Sequence, residues 1–242
     1  MKILVTNDDG IRAPGIAFLA EAAARLGSVL VIAPKEQQSA MSHRITLDRN
    51  MRLERCSTFS LKGVEAYSLD GTPADCIRAA FLGAFDEKPD LVFSGINEGA
   101  NCGFDIQYSA TVGAAMEALL YGVPALCFSQ ERGPVGEVCR EYLFRILEDL
   151  AGRRLPRNQI WNVNFPCCPL RECRGILYDR KPCQTAFFDD RYVRKEQADG
   201  SWEIGIDSDY VMEAEEGTDI RAILDGYISV GIVTNTVLSA DN

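Results

Sequence analysis

Histidine is almost missing from this sequence: only His43 occurs in 242 residues. That scarcity argues against a zinc site built on imidazoles. The nine cysteines do not replace it, because the cluster Cys167, Cys168, Cys173 and Cys183 contains no C-x-x-C pair. They read instead as small hydrophobes kept as thiols. Long apolar runs are missing too, and nothing approaches the ~18–20 residues of a membrane span. The chain opens Met-Lys-Ile-Leu-Val-Thr-Asn-Asp-Asp, where four apolar residues lead straight into two carboxylates. No signal peptide has that pattern, so the expected location is cytoplasmic. Positive charge is in short supply, with 25 Lys and Arg against 35 Asp and Glu and a net charge of −10. An acidic surface repels phosphate backbones, which argues against stable nucleic-acid binding. A small phosphorylated substrate stays possible where a metal screens the charge.

What is present is ample apolar content, 47% of residues, enough to bury the core of one large domain or of a domain with an appendage. The first half alternates strand-like and helix-like segments. Strands are expected over 2–6, 29–33, 91–93, 124–128 and 161–165. Helices are expected over 14–26, 73–85, 109–121 and 137–150. Thr72-Pro73-Ala74-Asp75 is a helix start: Thr caps, Pro takes the first turn, and Asp faces the dipole. This alternation predicts an α/β fold, a Rossmann-like and mostly parallel sheet with helices on both faces. Residues 44–69 interrupt it with a predicted hairpin. Beyond residue 166 the pattern changes. A β-hairpin arm is expected over about 185–206, turning at Asp199-Gly200, followed by a helix near 218–224 and a strand at 226–230. The organisation expected is a catalytic core over 1–166 and a C-terminal extension over 167–242.

Three clusters carry chemistry. Asn7-Asp8-Asp9-Gly10 stands at the carboxyl end of the first strand, the edge where open α/β sheets bind ligands. Two adjacent carboxylates repel and call for a cation, and hard oxygen ligands suit Mg²⁺ or Mn²⁺. The same residues also make a solvated turn. Ser39-Ala40-Met41-Ser42-His43 follows the second strand. Its hydroxyls can meet a metal or a phosphate. His43 is either a hydrogen-bonded loop residue or the acid that protonates a leaving alcohol. The third cluster, residues 94–103, holds Gly95, Gly99 and Gly103 with Asn97 and Asn101. Ser109-Ala110-Thr111 then opens a helix, where free N–H groups can receive an anion or Ser109 and Thr111 simply cap the end. Together the clusters describe a metal beside a phosphate cradle, which is most of what phosphoryl transfer requires.

These motifs resemble the SurE family, the survival-protein E 5′/3′-nucleotidases. The likeness runs through residues 3–10, Ala33-Pro34 with Ser39, and His43 to Thr46. It continues in Gly71-Thr72-Pro73-Ala74-Asp75-Cys76, in Ser94-Gly95-Ile96-Asn97 with Asn101 and Gly103, and in residues 108–117. Asn162-Val163-Asn164-Phe165-Pro166, Gly217-Thr218-Asp219 and Gly226-Tyr227-Ile228-Ser229 extend it nearly to the end. The resemblance implies hydrolysis of nucleoside 5′- and 3′-monophosphates with one bound divalent metal ion. It places the metal ligands at Asp8, Asp9, Ser39 and Asn97. It places the phosphate contacts at Asn101 and at Ser109, Ala110 and Thr111. It also implies a homodimer made by exchange of C-terminal arms, often a tetramer. Two positions depart from the family pattern: Ala110 replaces a usual glycine, and Val230-Gly231-Ile232-Val233 replaces a usual Ile-Thr-Pro-Leu.

Other readings fit less well. A phosphatase with an aspartyl nucleophile needs Asp-x-Asp at the first strand, whereas Asp8 and Asp9 are adjacent. A dinucleotide-binding oxidoreductase needs Gly-x-Gly-x-x-Gly, which Gly10 and Gly15 do not supply. A nucleotide-binding sensor without catalysis is the alternative from another class, and Ala110 is the feature in its favour.

Overall fold

The computed structural model describes residues 1–240. Eleven strands and five helices follow in the order β1 (Lys2–Thr6), α1 (Pro14–Ala23), β2 (Ser28–Pro34), β3 (Leu53–Arg55), β4 (Glu65–Leu69), α2 (Pro73–Phe81), β5 (Leu91–Glu98), α3 (Ala110–Leu120), β6 (Ala125–Gln130), α4 (Glu137–Ala151), β7 (Gln159–Phe165), β8 (Ile176–Arg180), β9 (Phe188–Glu196), β10 (Trp202–Tyr210), α5 (Asp219–Leu224) and β11 (Ile228–Thr234). Nine strands form one sheet in the order β3-β4-β2-β1-β5-β6-β7-β11-β8. Its six central strands are parallel, while β3 and β11 run antiparallel to their neighbours β4 and β7.

The strands are apolar along their whole length because helices cover both faces. In β1, Ile3 and Val5 face the layer of α1 and α4, and Leu4 faces the layer of α2 and α3. Each helix start is written locally. Pro14 and Pro73 open α1 and α2, and Thr72 and Asp75 form a reciprocal capping box. A third, smaller core joins Ala100 and Cys102 to Cys183, Phe187, Ile220 and Ile223.

Several boundaries move. β5 runs on to Glu98, five residues past the expected end, because Gly95 lets the backbone approach Phe128 too closely for any side chain. α2 stops at Phe81 instead of reaching Phe85, since Gly83 adopts φ +106°. α1 stops at Ala23, and residues 24–26 form a turn. The hairpin expected within 44–69 is β3 with β4, and β4 also joins the parallel ladder beside β2. The altered segment at residues 230–233 continues β11 to Thr234 against β7. A proline there would remove a ladder donor. The hairpin of β9 and β10 spans Phe188 to Tyr210, slightly displaced from 185–206, and pairs only with itself.

Candidate active site

The strand order reverses between β1 and β5, since the chain passes from β1 outward to β2 and returns to β5 on the other side. Ligands in open α/β sheets bind at such a switch point, outside the carboxyl ends of the strands. Asp8 and Asp9 leave β1 there, and Asn97 lies near the end of β5. The loop after β2 brings Ser39. Asp8, Ser39, Asn97, Asn101 and Ser109 line one cavity of about 630 Å³. Asp9 lies on the other side of Asn97, where both line a narrow cleft with Glu98.

Asp8 is 3% exposed. Burial pushes its carboxyl up to about 7, the adjacent Asp9 charge adds to this, and a hydrogen bond from Thr111 opposes it. The Thr111 hydroxyl donates to Asp8 at 2.5 Å. Burial also raises Asp9, and the neighbouring Glu98 charge adds to that. The Glu98 N–H, at 3.0 Å, works the other way. Gln37 donates to Ser39 at 3.0 Å. The Asn97 amide donates to the Gly99 carbonyl at 2.7 Å, which leaves its oxygen free to accept. Among the described residues no group of three or more His, Cys, Asp and Glu could hold a metal ion. The candidate donors around Asn97 are mixed: the carboxylates of Asp8 and Asp9, the Ser39 hydroxyl and the Asn97 amide oxygen. That set fits a hard divalent cation, and the desolvated Asp8 is the side chain with most to gain from one.

The phosphate side is equally built. Ser109 caps α3 by accepting from the Val112 N–H. The first-turn N–H groups of α3 have no acceptor within the helix. Thr111 is fully buried, turns its hydroxyl to Asp8 and stands outside the cavity lining, which Ser109 alone of these three residues reaches. Ala110 is fully buried and stands outside the cavity lining, so its methyl does not narrow the cavity. Asn101 rests on a shelf of neutral amides. Its N–H meets Asn164 at 2.8 Å, its carbonyl accepts from Asn162 at 2.9 Å, and its side chain reaches Ser129 at 2.7 Å.

His43 does not line the cavity. Its Nε2 lies 2.7 Å from the Glu117 carboxylate, which is itself buried and also takes bonds from Arg78 and Tyr121. Burial works against the Glu117 charge, but the His43, Tyr121 and Arg78 hydrogen bonds outweigh it and lower its pKa. The loop bearing Ser39 and His43 is tightly seated. Ala40 and Ser42 have φ of +56° and +52°, and a Cβ on Gly113 of α3 would stand 2.4 Å from the Ser42 carbonyl.

Sequence reasoning brought Asp8, Ser39, Asn97, Asn101 and Ser109 to one place. It missed the supporting groups Ser129, Asn162, Asn164 and Glu117. Two asparagines at alternate positions of a buried strand were the available signal for the amide shelf, since both must face the same way.

A buried Asp8 beside a half-buried Asp9 on a switch point, close to the N-terminus of a helix, is an arrangement suited to metal-assisted phosphoryl transfer on an α/β sheet. The comparisons narrow this. The family model described as "Survival protein SurE" matches residues 3–185. The 5′-nucleotidase SurE 1 of Thermus thermophilus is 39% identical over 237 residues, covering 95% of this chain and 90% of that protein. The 5′-nucleotidase SurE of Pelobacter propionicus is 39% identical over 238 residues, with 95% and 92% covered. The crystal structure of the SurE protein from Aquifex aeolicus superposes with a TM-score of 0.83 at 34% identity, covering 99% of this chain and 95% of that one. This chain belongs to the SurE family.

The Asp8 environment sets a pH dependence. Its carboxyl titrates near 7 when folded and at the ordinary value of 3.8 when unfolded. The folded state therefore holds the extra proton, and stability from this group is complete below about pH 4 and lost as pH rises through 7. Metal-free protein should show a Tm that falls across this window relative to Asp8→Asn. Mn²⁺ should raise Tm more at pH 8 than at pH 5. Equal Mn²⁺ shifts at both pH values, with no difference from Asp8→Asn, would contradict this environment.

Proposed function

We propose that this chain is a divalent-metal-dependent phosphomonoesterase that hydrolyses nucleoside 5′-monophosphates, and 3′-monophosphates, to nucleoside and phosphate. The observation that carries the reading is the desolvated Asp8 on the same cavity as Asn101 and the start of α3. The names of the relatives, 5′-nucleotidases all, supply the substrate class. Asp8, Asp9, Ser39 and the Asn97 oxygen would hold one Mg²⁺ or Mn²⁺. Such an ion acts as a Lewis acid toward phosphate and makes bound water nucleophilic at neutral pH.

The chain's own groups position the rest. The first-turn N–H groups of α3 and the amide of Asn101 receive phosphate oxygens where charge builds in the transition state. Ser129, Asn162 and Asn164 keep Asn101 from turning away. We assign protonation of the leaving alkoxide to His43, the one imidazole of the chain, which stands outside the cavity lining with Nε2 on Glu117, so that Nδ1 is the nitrogen left for the role. The sensor alternative rested on Ala110, and the buried methyl gives it no support.

Kinetics with AMP, GMP and IMP, with Mn²⁺, Mg²⁺ or chelator, test the reading. Asp9→Asn should lose at least ~100-fold in kcat/KM, about 2.7 kcal/mol of transition-state stabilisation. Full activity with undiminished Mn²⁺ binding would sink the assignment. In the same series His43→Ala should spare p-nitrophenyl phosphate, whose leaving group needs no proton, and damage AMP. Equal losses would reduce His43 to a support for its loop.

Assembly follows from the hairpin. Val193, Trp202 and Ile204 are between 49% and 62% exposed on an arm that pairs with no other strand. Phe187, within the arm expected over 185–206, is instead fully buried in the chain's own third core. An isolated hairpin is marginal in water, and so much apolar surface calls for a cover. Reciprocal arm exchange between two copies gives a closed two-fold dimer. Its pairing into tetramers, and a cytoplasmic location where the nine free thiols persist, complete the reading. No helix among the described residues is long and apolar enough to cross a membrane. Light scattering at micromolar concentration should give at least twice the 26.7 kDa chain mass. A compact, active species at the mass of one chain would contradict arm exchange.

A further inference from the structure

The cavity that holds Asp8 and Asn101 does not end at the polar groups. Its far wall is Tyr108, Phe188, Tyr192 and Ile206, three of them from the root of the hairpin. The pairing register sets Tyr192 opposite Ile206 and Phe188 opposite Tyr210. Phe188 and Tyr192 are four residues apart on one strand, so they share a face with Ile206. Tyr192 is 77% exposed and Tyr108 is 64% exposed. Each presents an aromatic ring to the space beside the phosphate cradle.

This wall is fixed to the cradle. One half-buried carboxylate, Asp105, accepts from the N–H groups of Phe187 at 2.6 Å and Phe188 at 3.3 Å. A second, Asp219, accepts from Gly103 and from Cys183, both at 2.9 Å. Phe104 N–H donates to the Thr185 carbonyl at 2.9 Å, and Gly103 bridges Ala186. A Cβ on Gly103 would stand 2.1 Å from the Thr185 carbonyl, so the two segments are in closest contact there. Residues 101–109 thus carry Asn101 and Ser109 at their two ends and hold the segment 185–188 through Gly103, Phe104 and Asp105. These bonds tie the hairpin root to the loop that bears Asn101 and Ser109.

We propose that the hairpin root, with Tyr108, is the nucleoside-binding wall of this site, and that it recognises the flat face of the base by stacking. The inference rests on the phosphomonoesterase reading above. With a phosphate held at Asn101 and α3, what remains of the substrate is a ribose and an aromatic ring. A cavity of about 630 Å³ lies within the ~300–1,000 Å³ of small-molecule sites. Aromatic rings stack on any base, because every base has a π face. The site therefore discriminates weakly among bases and strongly between a nucleotide and a sugar phosphate. Purines, with the larger face, should be preferred over pyrimidines.

The test compares kcat/KM for AMP and for ribose 5-phosphate in the full-length protein with Mn²⁺. It uses wild type, Tyr192→Ala, Tyr108→Ala and Tyr192→Phe, with the oligomeric state of each checked by light scattering. Wild type should prefer AMP. Either alanine variant should lower the AMP to ribose 5-phosphate ratio by about 10-fold, mainly through KM for AMP. Tyr192→Phe should restore the ratio. Loss of assembly or of metal would depress both substrates together and leave the ratio where it was. A ratio unchanged in both alanine variants overturns the wall, and so does a wild type with no preference. Binding of adenosine, read by saturation-transfer NMR, needs no turnover and separates the two readings. If wild type hydrolyses neither substrate, the phosphatase reading has failed. Adenosine binding lost in Tyr192→Ala then still supports the wall, and binding retained in both alanine variants overturns it.

Discussion

Two carboxylates stand side by side where β1 ends, and one of them, Asp8, is almost entirely out of water. A desolvated charge beside a like charge is among the least favourable arrangements a fold can hold. Much of the surrounding structure answers it. Thr111 turns its hydroxyl inward, the Glu98 N–H and Gln37 reach Asp9, and Asn97 lines both the cavity of Asp8 and the cleft of Asp9. The groups that hold Asn101 are neutral amides and a hydroxyl, while Glu98, Asp105 and Asp190 add carboxylates to the cavity lining and Arg191 adds one cation. In this account a divalent cation relieves the remaining repulsion and makes the same spot attractive to an anionic ester.

The positions of the carboxylates depend in turn on topology. Six parallel strands present all their carboxyl ends at one edge, so loops far apart in sequence converge. Of the loops that meet there, the stretch 101–109 is the one shared with the C-terminal part of the chain. Asp105 gathers the N–H groups of Phe187 and Phe188, Asp219 joins those of Gly103 and Cys183, and burial raises both of their pKa values. The hairpin is thus tied at its root to the loop that carries Asn101 and Ser109. In the proposed reading, assembly and substrate recognition are joined through this one element.

Much of this was legible in the sequence because it is written in local chemistry. Proline at the first helical position, Thr72 with Asp75, and apolar runs ending in Asn-Asp-Asp fix element types without reference to the rest of the molecule. The five residues on one cavity were legible because each follows or caps an element at the same sheet edge. What escaped depends on pairing. β5 outruns its apolar stretch because Gly95 packs on Phe128, a contact made across the sheet. Phe187 and Phe188 look alike in sequence, yet one is in the core and the other walls the cavity. The support of Asn101 by Asn162, Asn164 and Ser129 joins three strand ends and has no local signature. His43 meets Glu117 across 74 residues for the same reason.

The central claim is that a buried, proton-retaining Asp8 gives up its proton to a divalent cation. Calorimetric titration with Mn²⁺ in two buffers of different ionisation enthalpy counts that proton directly. The account predicts release of close to one proton per bound ion at pH 6, falling toward zero by pH 8.5, since the carboxyl titrates near 7 without metal. Tight Mn²⁺ binding with no proton released at pH 6, or release unchanged in Asp8→Asn, would contradict it.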